Sequence, residues 1–251
     1  MQLIKMSCRG IKLYNSKRPS KYSKPEDPFY IQENTNPDKS ILRFKAQRVG
    51  VGFEYRNGKK VICYFSAGTK EDWRKDADQF PSDGLGVPNK HSPGETWVDI
   101  TNIQVKRIMR NRTAIAKSRH CDGVVPTNVD GASGNQAGFY FTADNQLDYN
   151  RYLVTEAHGN DLAIGLMNDV LQLNELVGDF DFAINVSCMD YHECHEYKPF
   201  FYARKPVFHI QYVSSITEGY QMQREICSSL ERPRYMNTII KHKMVNWKLD
   251  C

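Results

Sequence analysis

From residue 61 onward the chain alternates short, almost continuously apolar runs with stretches of helical spacing, and this alternation limits the folds open to it. The runs are "VICYFSAG" (61–68), "WVDI" (97–100), "DGVVPTN" (122–128), "LAIGLMND" (162–169), "FDFAINVS" (180–187) and "VFHIQYV" (207–213), with a weaker seventh, "MNTIIKH" (236–242). Runs this dense in Val, Ile and Phe suit strands covered on both faces, as in a parallel sheet. Between them lie candidate helices. Residues 101–120 open on Thr101, a good N-cap, and place Val105, Ile108, Met109 and Ile115 at helical spacing. Residues 142–160 start on a capping Thr142, carry Asp144 in the first turn and end at Gly159. Residues 168–178, 195–205 and 216–231 continue the series. Strand alternating with helix predicts right-handed βαβ units. With an eighth strand in "PFYIQE" (28–33), the count favours a single closed (β/α)8 TIM barrel over an open doubly wound sheet. No Gly-rich dinucleotide loop follows any strand, and no cofactor is expected.

A barrel over 28–251 leaves residues 1–27 as a basic lead-in. Residues 1–60 hold 14 Lys/Arg against 5 Asp/Glu, whereas the rest of the chain holds 20 against 24. Such an arm could touch nucleic acid or an anionic surface. The Ser, Pro and Lys of "SCRGIKLYNSKRPSKYSKPEDP" instead favour a loosely ordered segment, so no nucleic-acid partner is expected. No window approaches eighteen uninterrupted apolar residues, so no membrane span is expected. The start, "MQLIKMSCRG", lacks the apolar core of a signal peptide, so either the chain is intracellular or its true N-terminus is missing.

Seven cysteines are many for a reduced compartment and an odd number for an oxidised one. Cys63 and Cys121 occupy apolar strand positions, where a buried free thiol is usual. Cys188 and Cys194 are near enough to close a short loop, and Cys227 and Cys251 could tie down the C-terminus; two such bridges would point to secretion. "YHECHEY" (191–197) gathers His192, Cys194 and His195, but zinc sites draw ligands from two separated segments and no second half is evident. No metal is expected. The sequon at Asn111 is open to glycosylation on a helix surface, whereas the one at Asn185 lies inside a strand run. The long Pro/Gly-rich insert from Thr69 to Thr96 reads as a binding rim. His209 reads as a core histidine. Asp99, Asp130 and Asp169 fall near strand ends, where barrel sites are built, and each could equally cap the following helix.

The ordered set "KKVICYFSAGTKEDWRKDADQFP", "WVDI", "CDGVVPTNVDG", "GFYFTADNQLDYNRYLVTEAH", "IGLMNDVLQLNELVGDFDFAINVSCMDYHEC" and "VFHIQY" resembles the successive motifs of glycoside hydrolase family 114. The likeness runs from about Lys59 to Tyr212, with a tail to Cys251. It implies a TIM barrel and endo-α-1,4-polygalactosaminidase activity on galactosamine-containing polymers. It also implies pairing of Cys188 with Cys194 and of Cys227 with Cys251, leaving Cys63 and Cys121 free, and it suggests an extracellular protein.

Four departures from the family pattern bear on chemistry. Where the fourth strand of the family reads Glu-Pro-Asp-Asn-Val-Asp, this chain has Val125-Pro126-Thr127-Asn128-Val129-Asp130. Where the sixth ends Asn-Glu-Gln-Cys, this chain has Asn185-Val186-Ser187-Cys188, and Met167 replaces a Lys ahead of Asn168 and Asp169. Thr127 and Val186 thus stand at the positions of the two implied catalytic acids. Glycoside cleavage needs a carboxylic acid for the leaving oxygen and a carboxylate to attack or to activate water. The sequence therefore predicts a pseudoenzyme that keeps a carbohydrate-facing cleft lined by Tyr64, Trp97, Asp99, Asn128, Asp130, Met167, Asn168, Asn185 and Tyr191. The alternatives are an active hydrolase that uses Asp130 and Asp169, and a non-catalytic, partner-binding barrel.

Overall fold

The apolar runs do become strands, but pairing sorts them into two kinds. The structure, a computed structural model, describes residues 2–6, 29–33, 60–133, 137–242 and 248–251, so most of the basic lead-in lies outside the described residues. These residues fall into two compact units, one comprising Phe29–Gly165 with the start of the first strand, the other Leu166–Cys251.

In the first unit β1 (Gln2–Met6), β2 (Phe29–Glu33) and β3 (Lys60–Ser66) lie side by side. The expected strand near residues 28–33 is thus present as β2, parallel to β3. The short insert strands β4 (Thr69–Glu71), β5 (Leu85–Pro88) and β6 (Glu95–Val98) form a separate antiparallel sheet in the order β4-β6-β5. This corrects two expectations. The "WVDI" run is not a strand of the parallel sheet, and the insert is not merely a rim loop. The connection over 89–94 is too short for a parallel crossover, so β5 and β6 meet as antiparallel neighbours.

Beyond the insert, α1 (Ile103–Ser118) leads to β7 (Gly123–Thr127), and α2 (Ala143–Gly159) leads to β8 (Ala163–Met167). β7 runs parallel to both β3 and β8, with Tyr64 opposite Val125 and Ser66 opposite Thr127. The cap of α1 is Asn102 rather than Thr101. Its side chain accepts from the amides of Gln104 and Val105, while Thr101 is spent on Asp99. Thr142 caps α2 as expected, in a reciprocal box with Asn145.

In the second unit the end of β8 is followed by β9 (Phe182–Val186), β10 (Val207–Val213), β11 (Asn237–His242) and β12 (Lys248–Asp250). β9, β10 and β11 are parallel, and β12 turns back antiparallel on β11. The expected helix over 168–178 shrinks to a 3-10 turn and one turn of α3 (Leu173–Leu176). Asn168 and Asp169 both take left-handed backbone angles, which a right-handed helix cannot contain. Likewise 195–205 begins as a 3-10 turn and becomes helical only over α4 (Lys198–Tyr202), where Pro199 suits a first turn. Last, α5 (Ile216–Ser228) seats Ile226 and Met222 against Val213 and Ile240.

Three disulfides cross-link the units internally. Cys188–Cys194 and Cys227–Cys251 match the expectation; Cys63–Cys121 overturns the reading of two free thiols. The reason is the register. Ile62 of β3 faces Gly123 of β7, so Cys121, just before β7, lies 6.0 Å from Cys63 between Cα atoms. Taken together, the chain is an α/β protein with a mostly parallel sheet. No helix among the described residues is long and apolar enough to cross a membrane.

Candidate functional site

In α/β folds ligands gather at the carboxyl ends of parallel strands, and in the first unit those ends are held by buried polar groups from elsewhere in the unit. The amide of Ala67 donates to the carbonyl of Thr127 at 2.9 Å, joining the turn after β3 to the end of β7. Tyr149 of α2 donates its hydroxyl to the carbonyl of Ala67 at 2.6 Å, and burial pushes the phenol far above its usual range, so it stays a donor. Gly68 is there by necessity. A Cβ at that position would sit 1.7 Å from the carbonyl oxygen of Asn128.

Around this turn lies a chain of neutral donors ending on a carboxylate. Ser66 and Thr69 share a hydroxyl contact of 2.5 Å, and Thr69 donates to Glu95 Oε2 at 2.7 Å. Asn128, in the left-handed region at φ 56, turns its Nδ2 to Ser66 Oγ, Thr69 Oγ1 and Glu95 Oε2 at 2.9, 3.3 and 3.1 Å. The side chain of Thr127, last residue of β7, makes a long contact of 3.5 Å from Oγ1 to the carbonyl of Phe65. Behind them Arg112 of α1 is buried. It donates to both oxygens of Asp76 at 2.7 and 2.9 Å and to the carbonyl of Ser66 at 2.7 Å, and stands 3.6 Å from Glu71. Arg74 pairs with Glu71 in the same cluster. Burial, then the like charge of Arg112, pushes Arg74 down to about 8, still high enough to keep it cationic near neutral pH. Burial alone would raise Asp76, but the hydrogen bonds and charge of Arg112, with the charge of Arg74, bring its carboxyl below the usual range.

In the second unit adjacent residues of β9 part company. Val186 faces Ile210, whereas Asn185 shares a face with His209 and, through it, Thr238. Asn185 is 0% exposed; its Nδ2 donates to Glu193 Oε1 and to the Tyr197 hydroxyl, both at 3.0 Å, and its Oδ1 has no partner among the described residues. Asn168 Oδ1 accepts from the amide of Val186 at 3.0 Å, so that side chain ties β8 to β9. His209 is buried, with Nδ1 3.3 Å from Thr238 Oγ1, and burial pushes its ring down to about 4, leaving it neutral. Gln211 of the same strand donates to Asp190 at 2.8 Å.

The residues singled out in the sequence therefore meet different fates. Thr127 and Val186 end β7 and β9, the strands expected to carry them. Trp97 is 6% exposed, with its ring edge under Gly131. Asp99 accepts from the amide and hydroxyl of Thr101, a turn contact before α1. Tyr64, Asp130 and Met167 are half-buried, Asp169 is 4% exposed at the head of a 3-10 turn, and Tyr191 is 72% exposed. Cys194 of the "YHECHEY" segment is bonded to Cys188, and no group of three His, Cys, Asp or Glu that could hold a metal is found among the described residues. Asn111 is exposed and Asn185 is not. Sequence reasoning missed Glu95 and Arg112. Glu95 was hidden in an insert read as loop, although its place at the head of the "WVDI" run was a signal that the carboxylate is carried by a strand.

These features define an α/β protein with polar groups gathered at parallel strand ends. The family model for glycoside-hydrolase family GH114 matches residues 52–251, and the chain belongs to that family. Ega3 of Aspergillus fumigatus, solved in complex with galactosamine, is 34% identical over 80% of this chain and 82% of its own, with a TM-score of 0.74. The glycoside hydrolase domain of PelA from Pseudomonas aeruginosa shares the fold at 13% identity, covering 89% of this chain and 96% of its own with a TM-score of 0.60. No curated protein matches the chain.

Proposed function

We propose that residues 28–251 close into a (β/α)8 barrel whose cleft holds a galactosamine-containing polymer while hydrolysing it weakly or not at all. The observation that carries this reading is the pair Thr127 and Val186 at the ends of β7 and β9, where the family pattern calls for carboxylic acids. General acid–base help is commonly worth ~10²–10⁴ in rate, and neither side chain supplies it. The galactosamine bound to Ega3 supports an amino-sugar ligand, and the three disulfides favour an oxidising compartment. Asp169 is a poor replacement acid, being almost wholly buried at the start of a 3-10 turn.

The test is an endo-cleavage assay on galactosaminogalactan. The purified protein is expected to leave the polymer intact, and the double variant Thr127→Asp with Val186→Glu is expected to regain part of the activity. Clear cleavage by the unmodified protein, abolished by Asp130→Asn or Asp169→Asn, would reverse the conclusion.

A further inference from the structure

The chain holds two Asn-x-Ser/Thr sequons, Asn111-Arg112-Thr113 and Asn185-Val186-Ser187, and the fold treats them oppositely. Asn185 of β9 is 0% exposed, and both hydrogens of its Nδ2 are given away, to Glu193 Oε1 and to the Tyr197 hydroxyl at 3.0 Å each. A sugar on that nitrogen would replace one of these hydrogens and finds no room in the buried layer. Asn111 lies inside α1 on its solvent side, with Arg107, Ala114 and Ile115 exposed one turn to either side of it. The opposite side of α1 carries Ile108, Met109, Arg112, Thr113 and Ala116 into the core. Arg112, the next residue, reaches inward to Asp76 and the carbonyl of Ser66, so a sugar on Asn111 leaves the buried charge cluster untouched.

Three disulfides favour an oxidising compartment, the setting in which sequons are modified. We propose that Asn111 carries an N-linked glycan and Asn185 does not, and that the sugar is attached before α1 folds. The step transfers an oligosaccharide from a lipid-linked pyrophosphate donor. The bond from the anomeric carbon to Asn111 Nδ2 forms, the bond from that carbon to the phosphate oxygen breaks, the lipid pyrophosphate departs, and the amide gives up one proton. The order of events follows from the helix. The transferase reads the asparagine amide together with the hydroxyl two residues on, and two residues along a helix stand about 200° apart around its axis. Thr113 is 1% exposed and donates its hydroxyl to the carbonyl of Met109 at 3.0 Å, so the folded helix hides half of the signal. The inference shares with the proposed function only the oxidising compartment, and it does not need a cleft that holds sugar.

Peptide mapping of the protein as its native source makes it tests this. Peptide N-glycosidase in heavy-oxygen water converts an occupied Asn to a labelled Asp, and the thiols are mapped on the same sample. The expected result is label at Asn111, none at Asn185, and the loss of a single glycan from the intact mass. Bare Asn111 in a protein whose three bridges are formed overturns the inference and leaves the glycan-binding reading standing. Bare Asn111 with every thiol free overturns it together with the oxidising compartment. Label at Asn185 overturns the exclusion of the buried amide. Asn111→Gln changes one exposed side chain and is expected to remove the whole mass step, and a step that survives it refutes the assignment. The order of events is tested on unglycosylated protein from a bacterial host, given oligosaccharyltransferase and a lipid-linked donor. The reduced, unfolded chain is expected to be modified and the folded protein to stay bare, and equal transfer to both overturns that order.

Discussion

Removing the Cys63–Cys121 bridge should cost more stability than removing either of the others. The bridged residues are separated by 58 positions, against 24 for Cys227–Cys251 and 6 for Cys188–Cys194. In the chain-entropy account a cross-link stabilises by restricting the unfolded chain, by an entropy that grows with the logarithm of the loop. Worked for these separations at 25 °C, the contributions are about 4, 3 and 2 kcal/mol in descending order of loop length. For a chain of this size the first corresponds to a fall in Tm of roughly 8–16 °C. The assay is urea unfolding of the three double Cys→Ala variants under non-reducing conditions. A Cys63→Ala/Cys121→Ala protein no less stable than Cys188→Ala/Cys194→Ala would refute the loop-closure reasoning. Peptide mapping that recovered Cys63 and Cys121 as free thiols would refute the pairing itself.

Stability should fall as the pH drops from the ordinary histidine value of 6.5 toward 4, because the unfolded chain takes up a proton that buried His209 refuses, whereas above 6.5 neither state binds it and the contribution is intact. The loss between pH 7.5 and 5 should be about 2 kcal/mol in urea titrations, and a His209→Gln variant retaining the same slope would locate it elsewhere. Arg112→Met should destabilise by about 3–5 kcal/mol, since it leaves Asp76 facing one cation fewer and the carbonyl of Ser66 without its donor; unfolding of the variant at wild-type urea concentration would contradict that.

The parallel strands were legible in the sequence because strands covered on both faces must be apolar throughout, and "VFHIQYV" became β10 residue for residue. "WVDI" carried the same signal and went elsewhere, since composition reports burial and not the partner or its direction. Where local chemistry settles the geometry, as with Thr142 capping α2, reading it was enough. Two good capping candidates in a row, Thr101 and Asn102, could be resolved only by knowing that Asp99 takes the first. The site was harder for the same reason. Thr127 and Val186 were found by their place in a motif, whereas Glu95 reaches Asn128 across 33 residues, and nothing local to either announces the contact.

Gly68 sets a boundary on how this strand end can be altered. Its amide reaches the carbonyl of Thr127 at 3.3 Å, its carbonyl accepts from Val98 of β6 at 3.0 Å, and its third side is closed by the carbonyl of Asn128. One residue without a side chain thus fastens β3, β7 and the insert sheet at a single point. Even a methyl group would have to push two of these backbones apart. Libraries that reshape the insert must therefore keep position 68 fixed. Chimaeras should exchange β3, the insert and β7 together, because none of the three keeps its position when the others move.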